Sequence, residues 1–434
     1  MNRKILRLAI PNILSNLSVP LLGAVDTAIV GRLEFVYYLG AIAVGSVIFD
    51  FIFWGFGFLR MGTTGLVAQE YGADNEKQTR WILLRVLTVA LGSSVAILLL
   101  QIPLIELSMK IIGASAEVEQ YTRIYYNIRI FSAPATLCLF GLNGWFLGMQ
   151  NAAYPMIVTI FLNGTNILLN LLFVLYFGMN VDGVAYGTLI ASYLSMILAV
   201  SLYLYKYGSV KVDFDLKELL DTHELKRFFS VNRDILIRTL CLIFSYAFFT
   251  AKSAELGDTI LAANTILLQM WYISSYGTDG FAYAAESLVG RFVGAKDGVN
   301  LIKAVKGTMV WGLSLGLLGT VTYYFLDREI IYLFTNKPEV INTALSMIIW
   351  LIIAPLINAV SFIWDGVFIG ATATKPMRNS MLIATIIVFL PVYFIAEPYG
   401  GMHALWMAMT GFMVARGLIL SLYAPKHIFK LAGK

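Results

Sequence analysis

Long apolar runs separated by short charged or turn-rich breaks recur from one end of the 434-residue chain to the other. Each is long enough for an α-helix to cross the ~30 Å of bilayer hydrocarbon. The pattern predicts about twelve spans, over residues 5–31, 38–69, 81–107, 121–147, 152–178, 182–205, 232–254, 259–290, 301–325, 341–370, 376–396 and 402–424. The second, eighth and tenth exceed a perpendicular crossing, which predicts tilt or extension beyond the lipid. An even number of spans puts both termini on one side.

Composition agrees: 59% of residues are hydrophobic and 13% charged, against about 25% charged in soluble domains, and the mean hydropathy is +0.77. Charge then orients the spans. Twenty-one Lys and Arg fall in breaks on the side of the N-terminus, among them Arg3, Lys4, Arg7, Lys77, Arg80 and the stretch from Lys206 to Arg233. Six fall on the other: Arg32, Lys110, Arg123, Lys252, Arg328 and Lys337. Both termini are therefore expected on the cytoplasmic face of the inner membrane. Basic residues dealt out break by break do not form the single basic face that nucleic-acid binding needs.

Several chemistries are excluded. The two cysteines, Cys138 and Cys241, sit in apolar segments, and His223, His403 and His427 lack metal-ligand spacing. No phosphate loop or nucleophile motif occurs, so neither an enzyme nor a cofactor is expected. Residues 1–10 are basic and run into the first span with no small-residue cleavage site, which predicts a retained span rather than a signal peptide.

The chain repeats itself. Gly144-Trp-Phe-Leu-Gly148 followed by Pro155-Met156 returns as Gly366-Val-Phe-Ile-Gly370 followed by Pro376-Met377, at an offset of 222 that falls to 221. Ala133-Pro134 matches Ala354-Pro355 at an offset of 221, and Gly72-Ala73 matches Gly294-Ala295 at 222. Six spans per copy is an even number, so the copies share one orientation and are related by an axis along the membrane normal. The expected fold is all-α integral membrane: twelve transmembrane helices in two pseudo-symmetric six-helix lobes, 1–205 and 232–434, around a central cleft. The charged stretch 206–231 is expected as the cytoplasmic connection. Rocking of two lobes about a central site suits a carrier by alternating access better than a channel.

A charge at bilayer depth costs about 2.5–3.5 kcal/mol on insertion scales, so each one needs a reason. Asp26, late in the first span, can carry a proton or hold a small cation such as Na⁺; a structural carboxyl bonded to Ser, Thr or backbone is the alternative. Asn163, Asn166 and Asn170 lie in the fifth span, the last two at i, i+4, and Thr188 lies in the sixth. With Asp26 they can line a polar chamber, or the amides can simply join helices. Asn12 and Asn16 carry the same ambiguity, and Asp50 and Arg60 can pair or lie at an interface, in either case as structural groups. In the second half Asp279 and Glu286 share a face of the eighth span, with Arg238 of the seventh a candidate partner for one of them. Asp365 stands at the repeat position of Asn143, a carboxylate against an amide. Pro11 and Pro20 predispose the first span to bend.

The segments IPNILSNLSVPLLGAVDTAIVGRL, LRMGTTGLVAQEYGA, NRDILIRTL, DGFAYAAESLVGRFVGAKDG and DGVFIGATATKPMRNSM resemble the multidrug and toxic compound extrusion (MATE) transporters, most closely their DinF-like branch, over nearly the whole chain. The resemblance implies a two-lobe antiporter that expels organic, often cationic or amphipathic compounds in exchange for H⁺ or Na⁺. It implies an ion site at Asp26, Asn166, Asn170 and Thr188, and a bend at Pro11. Asn170 departs from the pattern, since many relatives carry an aspartate there. With one carboxylate fewer, a hard-oxygen Na⁺ site is weakened and proton coupling is favoured. A second-half Na⁺ site of the family uses acids in the seventh and tenth spans. Asp365 matches the tenth, but the seventh has acids only at its ends, Asp234 and Glu255. The expected partners are small organic substrates and lipids, with the chain a monomer. Na⁺ coupling is one alternative; a lipid-linked oligosaccharide flippase of the same superfamily is another, though such proteins have a strongly basic cavity.

Overall fold

A computed structural model describes residues 1–31, 35–208 and 215–432, and within them all side chains except those of residues 21, 24, 26–28, 30, 36, 216 and 432. The described residues form helices and no strand. In chain order the long helices are α1 (Asn2–Val30), α2 (Tyr37–Gly72), α3 (Glu76–Leu99), α4 (Ala116–Gly148), α5 (Ala153–Tyr176), α6 (Val181–Tyr207), α7 (Thr222–Glu255), α8 (Asp258–Gly294), α9 (Gly298–Phe325), α10 (Ile348–Gly370), α11 (Thr374–Gly400) and α12 (Met402–Phe429). Each coincides with one expected span.

Ten of these regions are long and apolar enough to cross a membrane by composition alone. Of the other two, α8 carries more polar residues. For α8 the cause is packing: its Asn264, Ser275, Thr278, Glu286 and Ser287 are buried in protein, and a helix sheathed by other helices need not match lipid. At 37 residues and 1.5 Å per residue α8 is about 55 Å long, longer than the hydrocarbon is thick. The other two overlong spans are interrupted instead, α2 at Phe56–Gly57 and the tenth at Met347, where Pro338–Ser346 gives way to α10. Helix α1 is helical through both Pro11 and Pro20.

By contact the chain forms two compact units. One comprises Leu14–Thr63 and Asn75–Lys226; the other comprises Met1–Ile13, Thr64–Asp74 and Arg227–Lys434. The division therefore does not follow the chain midpoint: the start of α1 and the end of α2 group with the second half. Two contacts explain this. Gly307 of α9 lies against Ile5, and the end of α2 crosses the end of α8 with their backbones nearly touching. A Cβ on Gly72 would lie 1.9 Å from the Arg291 carbonyl oxygen, and one on Gly294 would lie 1.8 Å from that of Gln69. Only hydrogen fits at either position. The two contacts are reciprocal, because 72 and 294, and 69 and 291, are related by the 222-residue offset.

The repeat extends to the backbone. The non-glycine residues with positive φ are Asp74, Gln150, Lys296 and Thr372, two pairs at that same offset. Asn75 and Asp297, also 222 apart, each cap the following helix by accepting from a backbone N–H three residues on. Gly144 lies under the Arg60 carbonyl, where a Cβ would come within 2.4 Å; its counterpart Gly366 lies under the Ala282 carbonyl, at 2.2 Å. These are the small-residue crossings by which membrane helices approach closely.

Gly144→Ala and Gly366→Ala are each expected to cost about 1–3 kcal/mol through overpacking, read as a lower melting temperature in detergent. Gly92→Ala, on the open side of α3 with nothing within 4 Å, is expected to leave it unchanged or raise it. Equal effects at all three positions would refute this account of the crossings.

Candidate ion-coupling site

In the first unit α5 packs against α6 and presents a buried row of amides, Asn163, Asn166 and Asn170. Spacings of three and four residues put them on one face. Their hydrogen bonds run in one direction along the row. Asn170 Nδ2 donates to Asn166 Oδ1 at 2.9 Å, Asn166 Nδ2 donates to Thr188 Oγ1 at 2.9 Å, and the Thr188 hydroxyl donates to the Val184 carbonyl at 3.0 Å. Gly187 makes room for this, since a Cβ there would sit 2.1 Å from Asn170 Oδ1. Asn163 Nδ2 donates to Ser18 Oγ of α1 at 2.8 Å, and Ser18 donates in turn to the Ser15 carbonyl at 2.7 Å. Immediately after Asn170 the helix widens to a π-turn over Leu171–Tyr176, a distortion frequent at functional sites. Three of the four expected residues, Asn166, Asn170 and Thr188, are thus bonded to one another. The side chain of the fourth, Asp26, lies outside the described residues.

The second unit is built differently. Asp365 of α10 is buried, and its Oδ2 accepts from Arg238 Nη2 of α7 and from Arg416 Nη2 of α12, the latter at 2.5 Å. One carboxylate ties three helices. Arg416 is fully buried, with its guanidinium 5.3 Å from the Phe412 ring centroid and 5.8 Å from that of Phe362. One correction follows: Arg238 pairs with Asp365, not with Asp279 or Glu286 as its spacing allowed. The Asp365 carboxylate is ion-paired to two arginines through Oδ2. Of the α8 acids, Glu286 is buried and Asp279 half-buried. Tyr246 lies within electrostatic reach of Arg238, Arg416 and Asp279. Asp234, fully buried at the start of α7, accepts from Arg378 at 2.8 Å and from Thr374 at 3.1 Å, joining α7 to α11.

Arg416 is the participant that sequence reasoning missed. Its signal was a lone cation inside the apolar run FMVARGLIL of the last span, which the cost of burying charge marks as needing a partner.

The MatE family model matches residues 11–172 and again residues 235–395. The chain belongs to the MatE family. Each match covers one half, so the internal repeat is two copies of the family unit. The chain is 38% identical to DNA damage-inducible protein F of Escherichia coli over 97% of its own length and 91% of that protein's. It is 26% identical to a probable multidrug resistance protein NorM of Acinetobacter baylyi, over 94% and 92%. Among solved structures it superimposes on an outward-facing multidrug resistance MATE family transporter with a TM-score of 0.89 at 20% identity, covering 100% of this chain and 97% of that one. A MOP superfamily transporter from Pyrococcus furiosus gives 0.88 at 19%, covering 99% and 96%. The expected all-helical, two-lobe membrane fold is that of the MatE family, whose members are transporters and not enzymes.

Replacing Asp365 by Asn is expected to destabilise the protein by about 3–5 kcal/mol, because it strands two buried arginines. A matching loss of melting temperature that added Na⁺ does not restore checks this; a sodium-dependent rescue would instead mark Asp365 as an ion ligand.

Proposed function

We propose that this transporter is a proton-coupled antiporter of the cytoplasmic membrane that exports organic, often cationic or amphipathic compounds by alternating access. Its lobes are 1–205 and 232–434, joined through 206–231, and both termini are cytoplasmic. Asp26 is the group that takes up and releases the proton, and Asn166, Asn170 and Thr188 form its polar surroundings. The observation that carries this reading is the bonded row of neutral amides and a hydroxyl in the first unit, set against an acid in the second that is already paired with two arginines. One half thus offers neutral partners whose bonds can reorganise around an acid, whereas the other is closed by ion pairs.

Register supports the assignment of Asp26. As odd-numbered spans α1 and α5 run in the same direction, and Asn163 bonds to Ser18. Seven residues further, α5 reaches Asn170 and α1 reaches Val25, so Asp26 is level with the amide row at the common rise of 1.5 Å per residue. A neutral asparagine at 170 leaves one carboxylate in this neighbourhood, which favours a proton over Na⁺, whose sites draw on several hard oxygen ligands.

In inverted vesicles Asp26→Asn is expected to abolish proton-driven uptake of ethidium while leaving expression and melting temperature near those of the parent; undiminished transport would remove Asp26 from the mechanism. Asn170→Asp restores a second carboxylate and is expected to make transport respond to an imposed sodium gradient at constant pH, to which the parent is indifferent. A parent protein already driven by sodium would establish the rival coupling ion.

A further inference from the structure

At the start of α1 an open cavity of about 1130 Å³ is lined by Met1, Arg3, Lys4, Leu6, Arg7, Ile10 and Pro11. Its lining joins three cationic side chains, Arg3, Lys4 and Arg7, to apolar Leu6, Ile10 and Pro11, the last two lying a turn beyond Arg7 along the helix. The opposite face of this segment is fixed in the unit, with Ile5, Leu8 and Ala9 buried. The cationic face is thereby held open. Arg3 and Arg7, four residues apart, stand one above the other, an arrangement in which like charges repel unless an anion lies between them. Lys4 sits over the Phe292 ring at 5.8 Å. The acid that both Lys4 and Lys303 influence, Asp297, is engaged by Asn300: its Oδ2 accepts from the side-chain amide at 2.6 Å and its Oδ1 from the backbone N–H at 3.0 Å. Those bonds hold its carboxyl below the usual carboxylate range. Among the described residues no carboxylate forms a salt bridge with Arg3, Lys4 or Arg7.

We propose that this cavity binds the headgroup of an anionic phospholipid, with the phosphodiester between Arg3 and Arg7 and the glycerol and first acyl carbons against Ile10 and Pro11. Charge and shape select this occupant. Two guanidinium forks match phosphate oxygens, and a strip that passes from cationic to apolar over one to two turns of helix matches a headgroup continuing into acyl chain. An organic cation is repelled here, and free phosphate leaves the apolar floor bare. Basic pockets beside spans on the cytoplasmic side are where anionic lipid headgroups bind. The inference rests on the spanning topology proposed above and not on the coupling ion.

The test compares the full-length protein with an Arg3→Gln, Arg7→Gln double variant in detergent, adding phosphatidylglycerol, phosphatidylcholine or glycerol phosphate. Lipid retention is read by native mass spectrometry and stability by thermal melting. Phosphatidylglycerol is expected to be retained and to raise the parent's melting temperature, with phosphatidylcholine and glycerol phosphate without effect. The double variant is expected to bind it roughly 30-fold more weakly. Equal retention by both proteins, equal retention of both lipids, or a matching effect of glycerol phosphate overturns the proposal. Should the double variant misfold, Arg3→Lys, Arg7→Lys supplies the comparison: it keeps the charge and is expected to retain phosphatidylglycerol over phosphatidylcholine, and loss of that preference would also count against the site. Lipid retention without ethidium transport would overturn the exporter reading and leave the lipid site standing.

Discussion

Hydrocarbon supplies no hydrogen bonds, so every polar group carried into it must find its partner within the protein. The rest of this architecture follows from how the chain meets that demand. Backbone groups meet it by helix formation throughout the spans. Polar side chains meet it in two ways: amides and hydroxyls bonded in series across α1, α5 and α6, and full charges closed against each other across α7, α10 and α12. The described members of the first arrangement are uncharged. The second is held by charge that would be expensive to separate in a medium of low dielectric constant.

The two halves thus share a backbone and differ in chemistry. The glycine crossings, the left-handed residues and the helix caps recur at one offset, which is the part that steric contact dictates. Residue 143 is an asparagine where 365 is an aspartate, and that single exchange brings two arginines with it. A duplicated fold has in this way come to hold a row of neutral hydrogen bonds in one half and a cluster of ion pairs in the other.

Much of this was legible in the sequence. Span positions followed from hydropathy because lipid imposes one rule on every lipid-facing residue. The repeat followed from Gly-x-x-x-Gly and its flanking proline, since close helix crossings admit few alternatives. Helix α8 was recognisable as a span despite its polarity because it is long and uninterrupted. Pairing of charges was not legible. The sequence offered Arg238 two acids, Asp279 and Glu286, and periodicity along one helix does not reveal that Asp365 of another faces it. Nor did it say that the ends of α1 and α2 pack with the second half, since that grouping depends on contacts between residues more than 200 positions apart, such as Gly72 with Arg291.

The reciprocal crossing at Gly72 and Gly294 also constrains chain length. Because each glycine rests on the other copy's backbone three residues before its counterpart, an insertion in either copy between this crossing and the next, at Gly144 or Gly366, would put the two out of step at once. The net spacing is equal in both copies from residues 72 and 294 to residues 150 and 372, and the offset falls to 221 again at Pro155 and Pro376. An exchange of that whole interval between the copies would keep register, whereas one running past it must carry the missing residue along.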